Sequence, residues 1–306
     1  MKIGIAGAGA VGCHYGSFLQ QSGCDASYFS RGDHLTSLQK SGLVHLSNGE
    51  ETVLDVHASD DVSILSDCDV ILLTCKTTAL HQLCEQLAPV VGERVVLVTV
   101  QNGVAAPDQV AVFFPNNPML AASAFIGVRI ERPGVVVHSA AGHIRLGVWQ
   151  NESEHLRSVL KDLVAAWQSS GVDAEQVPDM KRMLWHKMVW NCGFNAITAL
   201  TRRYARDIAA DEDSVRWVKA SMQEVIEVAA AESVELPGDA IEQHLALTMK
   251  AGPVKTSMWQ DMEHGRPTEI EAMNGYIVKR AEALGLNAPT NDLLSSLVRA
   301  AERGEE

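Results

Sequence analysis

Lys187, Asn191 and Asn195 have the types and spacing to do chemistry. At i, i+4 and i+8 they share one face of a helix. The apolar Leu184, Trp185, Met188, Val189, Trp190 and Phe194 flank that polar stripe. Asparagine forms helices poorly and is costly to bury without partners. Two of them beside a lysine point to a polar pocket; the alternative on spacing alone is an exposed helix face. A second group is Gly7-Ala8-Gly9-Ala10-Val11-Gly12, the pattern G-x-G-x-x-G. The first glycine suits a tight turn, the second a close approach of backbone to a pyrophosphate, the third close packing of helix on sheet. The third group is Gln101-Asn102-Gly103, where an amide can hydrogen-bond a substrate or a bound cofactor, or where Asn-Gly simply makes a turn.

These residues need elements to hold them. Lys2–Ala6 reads as a strand and Ala10–Gln21 as a helix, so the glycine pattern lies at a strand-to-helix turn, the context that makes it specific for a dinucleotide. Ala26–Ser30 reads as the second strand. NAD enzymes place an Asp or Glu at its end to hold the ribose 2′-hydroxyl. Here the chain runs Ser30-Arg31-Gly32, and an arginine can fork onto a 2′-phosphate, which favours NADP(H). The competing reading makes Arg31 an ordinary solvated arginine and gives Asp33 the acidic role. Residues 43–58, with Asn48-Gly49, predict a hairpin. Asp69–Thr74 and Arg94–Val100 read as buried strands, the second ending at Gln101-Asn102-Gly103. Leu35–Lys40 and Ala79–Leu87 read as helices. Val135–His138 and His143–Val148 read as two further strands, Glu154–Ser169 as an amphipathic helix and Val172–Val177 as a last strand.

The pattern then changes at Pro178. Helical stretches are predicted over Lys181–Ala199, Ser214–Glu232, Asp239–Lys250, Ile270–Leu284 and Asp292–Glu302, with no convincing strand. The expected fold class is α/β: an N-terminal Rossmann dinucleotide-binding domain over residues 1–177, followed by a C-terminal all-α domain over residues 178–306. In Thr256–Gly275, the run Gly265-Arg266-Pro267-Thr268-Glu269 breaks two helical stretches, and Thr268 suits an N-cap with Glu269 at the positive helix end.

Length and composition agree with two domains: 306 residues exceed one ordinary core. The formal charge of −13 disfavours a polyanionic partner, so nucleic acid is not expected. No apolar run reaches the ~18 residues that a membrane span needs. The glycine-broken N-terminus does not read as a signal peptide. Six cysteines without a C-x-x-C pair suit free thiols in a reducing cytoplasm, and no spacing suggests a metal site.

Together the motifs resemble the ketopantoate reductase (2-dehydropantoate 2-reductase) family over nearly the whole chain. The residues that carry the likeness are Gly7-Gly9-Gly12, Arg31, Lys76, Gln101-Asn102-Gly103, Lys187-Asn191-Asn195, and Ser257-Met258 through Asn274-Gly275. The resemblance implies NADPH-dependent reduction of ketopantoate to pantoate, a step toward pantothenate. It implies Lys187 as the general acid, with Asn102, Asn191, Asn195, Ser257 and Glu269 around the substrate. Gly7, Ala8, Gly9, Ala10, Val11, Gly12, Arg31, Lys76, Asn102 and Glu269 would then meet the cofactor. A small 2-oxo acid is the expected partner, and dimers are common in such reductases. The chain departs from the family pattern at Val254, where many members have asparagine. It departs again at Thr201-Arg202-Arg203-Tyr204-Ala205-Arg206, which replaces a small glycine-containing run. Those departures leave open another 2-oxo acid as substrate. A non-catalytic NADP(H)-binding regulator is the reading from another class.

Overall fold

A computed structural model describes residues 1–47, 49–253 and 255–304. Asn48 of the expected hairpin and Val254 lie outside the described residues. The chain divides into two compact units, Met1–Gln101 with Ala105–Met180, and Asn102–Val104 with Lys181–Glu306.

The first unit is built on one ten-stranded sheet. Its strands are β1 (Lys2–Ala6), β2 (Asp25–Phe29), β3 (Leu43–Ser47), β4 (Glu50–Leu54), β5 (His57–Ser59), β6 (Val70–Leu73), β7 (Val96–Thr99), β8 (Met119–Arg132), β9 (Val135–Gln150) and β10 (Ala174–Gln176). The order β5-β2-β1-β6-β7-β8 is parallel throughout. It is the doubly wound Rossmann order, in which ligands sit at the carboxyl ends of the strands where the winding reverses, here between β1 and β6. The helices α1 (Ala10–Gln21), α2 (Gly32–Ser41), α3 (Thr77–Leu87), α4 (Ala106–Phe113) and α5 (Glu154–Ser169) complete the unit.

The central strands are apolar on both faces, as a sheet covered on both sides requires. Ile3, Ile5, Val70, Leu72, Val96 and Val98 pack with Tyr15 and Leu19 of α1 and Leu163 and Trp167 of α5. The alternate residues Ala6, Ile71, Leu73 and Leu97 pack with Leu80, Leu83 and Leu87 of α3 and Val110 of α4. The expected hairpin is present as β3 paired antiparallel with β4.

Two expectations need correction here. Val135–His138 and His143–Val148 are one continuous strand, β9. The break that separates them in the sequence is a bulge, with Ala141 at φ 56° and Gly142 at φ 115° and a register shift opposite Phe125 and Ile126. Its partner β8 and the helix α4 have no counterpart in the sequence reading. β8 begins MLAASA, whose small residues give little strand signal; its pairing with β7 and β9 on either side decides its state.

Among the described residues, the second unit has no strand. Its helices are α6 (Met180–Thr201), α7 (Ala205–Ala209), α8 (Glu212–Ala231), α9 (Ala240–Lys250), α10 (Ser257–Glu263), α11 (Asn274–Ala283) and α12 (Pro289–Arg303). The predicted helix over Ile270–Leu284 is interrupted. Ile270–Ala272 is a 3-10 turn, Met273 leaves helical geometry at ψ −105°, and α11 starts at Asn274. The residue that precedes that 3-10 turn is Glu269 and not the expected Thr268, and it gives no side-chain cap; the Thr268 hydroxyl accepts from Ile270 N at 3.3 Å from one residue further back. The short helices α7 and α10 add to the sequence reading. Thr256 starts α10 by accepting from Trp259 N. None of the described helices is long and apolar enough to cross a membrane.

Candidate active site

The glycine loop sits between β1 and α1, at the reversal point of the sheet. Gly7 has φ 91°, and a Cβ there would lie 2.7 Å from the backbone nitrogen of Cys75, so the position requires glycine twice over. A Cβ on Gly12 would meet Thr74 Oγ1 at 2.4 Å and Ile5 Cγ2 at 2.8 Å, which is the close helix-to-sheet packing. At Gly9 only Gly7 O lies within 4 Å, at 3.9 Å, so the space over the loop is open. No side chain caps the first turn of α1, which leaves its positive end to a ligand. Gly7 and Ala8 shape the loop: both N–H groups donate to Phe29 O, at 3.2 and 2.9 Å. An open cradle over an uncapped helix end fits a pyrophosphate.

Arg31 follows β2 as the residue before α2 and is exposed. Asp33 lies in the first turn of α2, where an acid is explained by the helix dipole. Lys76 precedes α3 beyond the end of β6 and is exposed. Gln101 is committed to the scaffold, its Nε2 donating to Leu73 O at 2.8 Å and Cys75 O at 3.2 Å.

In the second unit, three predicted residues converge. Lys187 Nζ donates to Asn102 Oδ1 at 3.0 Å, and Asn102 Nδ2 donates to Glu269 Oε2 at 3.1 Å. Asn102 can reach both because the chain turns at Gly103 (φ 88°), where a Cβ would lie 2.5 Å from Ala272 O. Burial pushes the Lys187 ammonium down to about 8, against the Glu269 carboxylate, which raises it. An ammonium so poised can hand over a proton near neutral pH.

Asn191 and Asn195 occupy the next turns of α6, both buried, with Asn195 Nδ2 donating to Asn191 Oδ1 at 3.3 Å. Asn191 Nδ2 and Asn195 Oδ1 have no hydrogen-bond partner among the described residues. Buried amide atoms without partners are costly, and a polar ligand would satisfy them. Ser257 is exposed in the first turn of α10. Its neighbour Thr256 ties that turn to α6, the Thr256 and Thr198 hydroxyls lying 2.7 Å apart.

Several contacts around the site lie beyond the sequence reading. Met273 Sδ accepts from Asn195 Nδ2 at 3.4 Å. Arg266 Nε donates to Asp261 Oδ1 at 3.0 Å, and Glu302 accepts from Thr268 N at 2.8 Å, so the Glu269 segment is held from two directions. Asp261 and Arg266 lie five residues apart with Glu263 and His264 between them, so no local pattern singles out that pair.

A Rossmann unit with an open phosphate cradle and a helical unit with a desolvated lysine among amides and a carboxylate define a class, the nicotinamide-dependent reductases. The family model described as "Ketopantoate reductase PanE/ApbA" matches residues 3–151, and the model of its C-terminal region matches residues 179–302. The chain belongs to the ketopantoate reductase family. A 2-dehydropantoate 2-reductase from Mesorhizobium japonicum is 30% identical, over 99% of this chain and 99% of that one. One from a Nostoc species is 28% identical, over 94% of this chain and 91% of the relative. The solved structure of a PanE/ApbA family ketopantoate reductase from Ralstonia eutropha JMP134 superposes with a TM-score of 0.91 at 29% identity, covering 99% of each chain.

Proposed function

We propose that this chain reduces 2-dehydropantoate (ketopantoate) to pantoate with NADPH. The observation that carries the reading is the Lys187–Asn102–Glu269 group, with two open amides further along the same helix. When bound, the cofactor would supply the hydride for the ketone carbon. The chain's residues do the rest. Gly7, Ala8, Gly9, Ala10, Val11 and Gly12 form the cradle for the pyrophosphate, Arg31 holds the 2′-phosphate, and Lys76 lies beside the cofactor. Lys187 stabilises the charge that develops on the carbonyl oxygen and donates its Nζ proton there. Asn102 orients Lys187 and meets both carbonyl and cofactor. Glu269 keeps Lys187 protonated and borders both ligands. Asn191 and Asn195 take the substrate's other polar groups, and Ser257 takes its carboxylate. Residues 1–177 thus serve the cofactor, and residues 178–306 bind the substrate and supply the acid.

The test follows NADPH absorbance with a panel of 2-oxo acids that includes ketopantoate, repeated with NADH. Selective turnover of ketopantoate with NADPH is expected. Silence on ketopantoate with turnover of another 2-oxo acid moves the substrate and keeps the class. NADPH binding without any turnover leaves only a regulator. Arg202, Arg203 and Arg206, all exposed at the end of α6 and the start of α7, are the chain's own reason to include bulkier and more acidic 2-oxo acids. We assign the protein to the cytoplasm and to a homodimer. Support for the dimer is the exposure of Leu293 and Leu297, one turn apart on α12; sedimentation analysis checks it.

A further inference from the structure

The turn of α6 that carries Asn191 is gripped at one backbone atom. Asn274, fully buried at the start of α11, donates from Nδ2 to the Cys192 carbonyl at 3.0 Å and to Asn291 Oδ1 at 2.9 Å. The Ser221 hydroxyl of α8 lies 3.0 Å from the same carbonyl and 3.1 Å from Asn291 Oδ1, and donates to one of them at a time. Asn291 in turn donates from Nδ2 to Glu224 Oε2 at 2.6 Å and to Ser221 O at 3.1 Å. Glu224 is a buried carboxylate whose oxygens also accept from Thr290 N at 2.8 Å and Asn291 N at 2.9 Å. It caps α12, a helix whose own preceding residue offers no side-chain cap. Its charge is offset by those donors and by the positive end of that helix.

Four helices, α6, α8, α11 and α12, are thereby joined at the Cys192 carbonyl. An interior helix carbonyl already accepts from the amide four residues on. Additional donors there are not needed to close the helix, so their use is to fix its position. The fixed turn lies between Asn191 and Asn195, each with an open amide atom; Asn274 itself keeps Oδ1 open and grips through Nδ2 alone. Gly193 presses the same turn onto α8, since a Cβ there would lie 2.6 Å from Met222 Cε. Asn274 also follows Met273 directly, and the Met273 thioether accepts from Asn195 Nδ2.

We propose that Asn274 is a positioning residue for the substrate. Its amide fixes the Cys192 turn of α6, and through Met273 the Asn195 amide, so that the open groups of Asn191 and Asn195 meet a 2-oxo acid already aligned. The inference rests on the reading that these amides receive the substrate. It separates Asn274 from Lys187: losing the first misplaces the substrate, losing the second removes the proton. Amides that no longer align hold the substrate less well in the ground state and the transition state alike, so the loss falls mainly on KM.

The test compares the unaltered chain with Asn274→Ala and Ser221→Ala, using steady-state kinetics with ketopantoate, NADPH titration and thermal melting. Asn274→Ala is expected to raise the KM for the 2-oxo acid on the order of 10-fold, with a smaller fall in kcat. NADPH affinity and the pH at which kcat/KM falls should be unmoved. Ser221→Ala, which removes the second donor to the same carbonyl with less loss of volume, should raise KM severalfold; it answers the question if Asn274→Ala does not fold. A lowered melting temperature with KM within twofold of the unaltered chain in both variants overturns the proposal and leaves the network purely structural. An unaltered chain that binds NADPH but neither binds nor reduces any 2-oxo acid removes the substrate reading and this inference with it, a result seen before any variant is made.

Discussion

At the residue scale the proposed chemistry rests on one desolvated lysine. Lys187 must be charged to donate a proton, and burial brings it down to about 8. Reduction is therefore expected to hold steady below that pH and to fall as pH rises through about 8, read from kcat/KM against pH, which reports the ligand-free chain. Glu269 raises the lysine, so Glu269→Gln should move the falling limb to lower pH. Lys187→Ala should lower turnover by about 10²–10⁴-fold, the usual worth of a placed general acid; a variant with near-native turnover would remove the assignment. The type and spacing of Lys187, Asn191 and Asn195 were legible in the sequence because a helix face is a fixed geometry. The Asn102 bridge to Glu269 was not, since it joins residues 167 apart in the chain.

At the scale of elements, the proposed function gives the cofactor preference to the strand-to-helix turn at Gly7–Gly12 and the end of β2. Arg31 is exposed where a 2′-phosphate is expected, and a hydrogen bond to a charged group is worth about 1.5–3 kcal/mol. Arg31→Ala should therefore raise the KM for NADPH roughly 10- to 100-fold and leave weak NADH turnover little changed. Equal losses with both cofactors would return Arg31 to the role of a solvated side chain. Most elements were readable because their periodicities are local. β8 was not, because MLAASA has no preference strong enough to show before β7 and β9 pair with it. The break at Met273 was hidden for a similar reason. The apolar spacing runs through it, while the reason to stop is Asn274, whose amide is used by other helices.

At the scale of the whole molecule, acid should be the weak side of stability. In the first unit His14 Nδ1 lies 2.9 Å from His45 Nε2, and the His14 and His138 rings are 4.6 Å apart. Ser17 and Ser47 partner His45 and His138, and Tyr15 and Phe18 pack edge-on against His14. Burial, with the neighbouring imidazoles adding to it, pushes His14 down to about 2 and His45 down to about 4 from an ordinary 6.5. Below about pH 6.5 the unfolded chain takes up protons that the folded chain refuses. Stability should fall as pH drops from 6.5 through 4, and more gently from there toward 2. Melting temperature against pH checks this, and His45→Gln should flatten the upper part of that slope. The formal charge of −13 adds self-repulsion on the alkaline side, where the carboxylates are fully ionised.

The sequence alone determined the glycine cradle, the arginine in place of an acid after the second strand, the polar stripe on one helix, and the change from strands to helices near Pro178. Each of these is written within a few turns of chain, where backbone geometry alone dictates which side chains share a face. Only the tertiary structure decided that Asn102 stands between Lys187 and Glu269, that Asn191 and Asn195 keep open amide atoms, and that Asn274 grips the helix between them. Those facts depend on which distant segments meet and on which buried polar groups remain unsatisfied when they do. No local periodicity encodes that; it is settled when the core closes and each buried donor either finds an acceptor or does not.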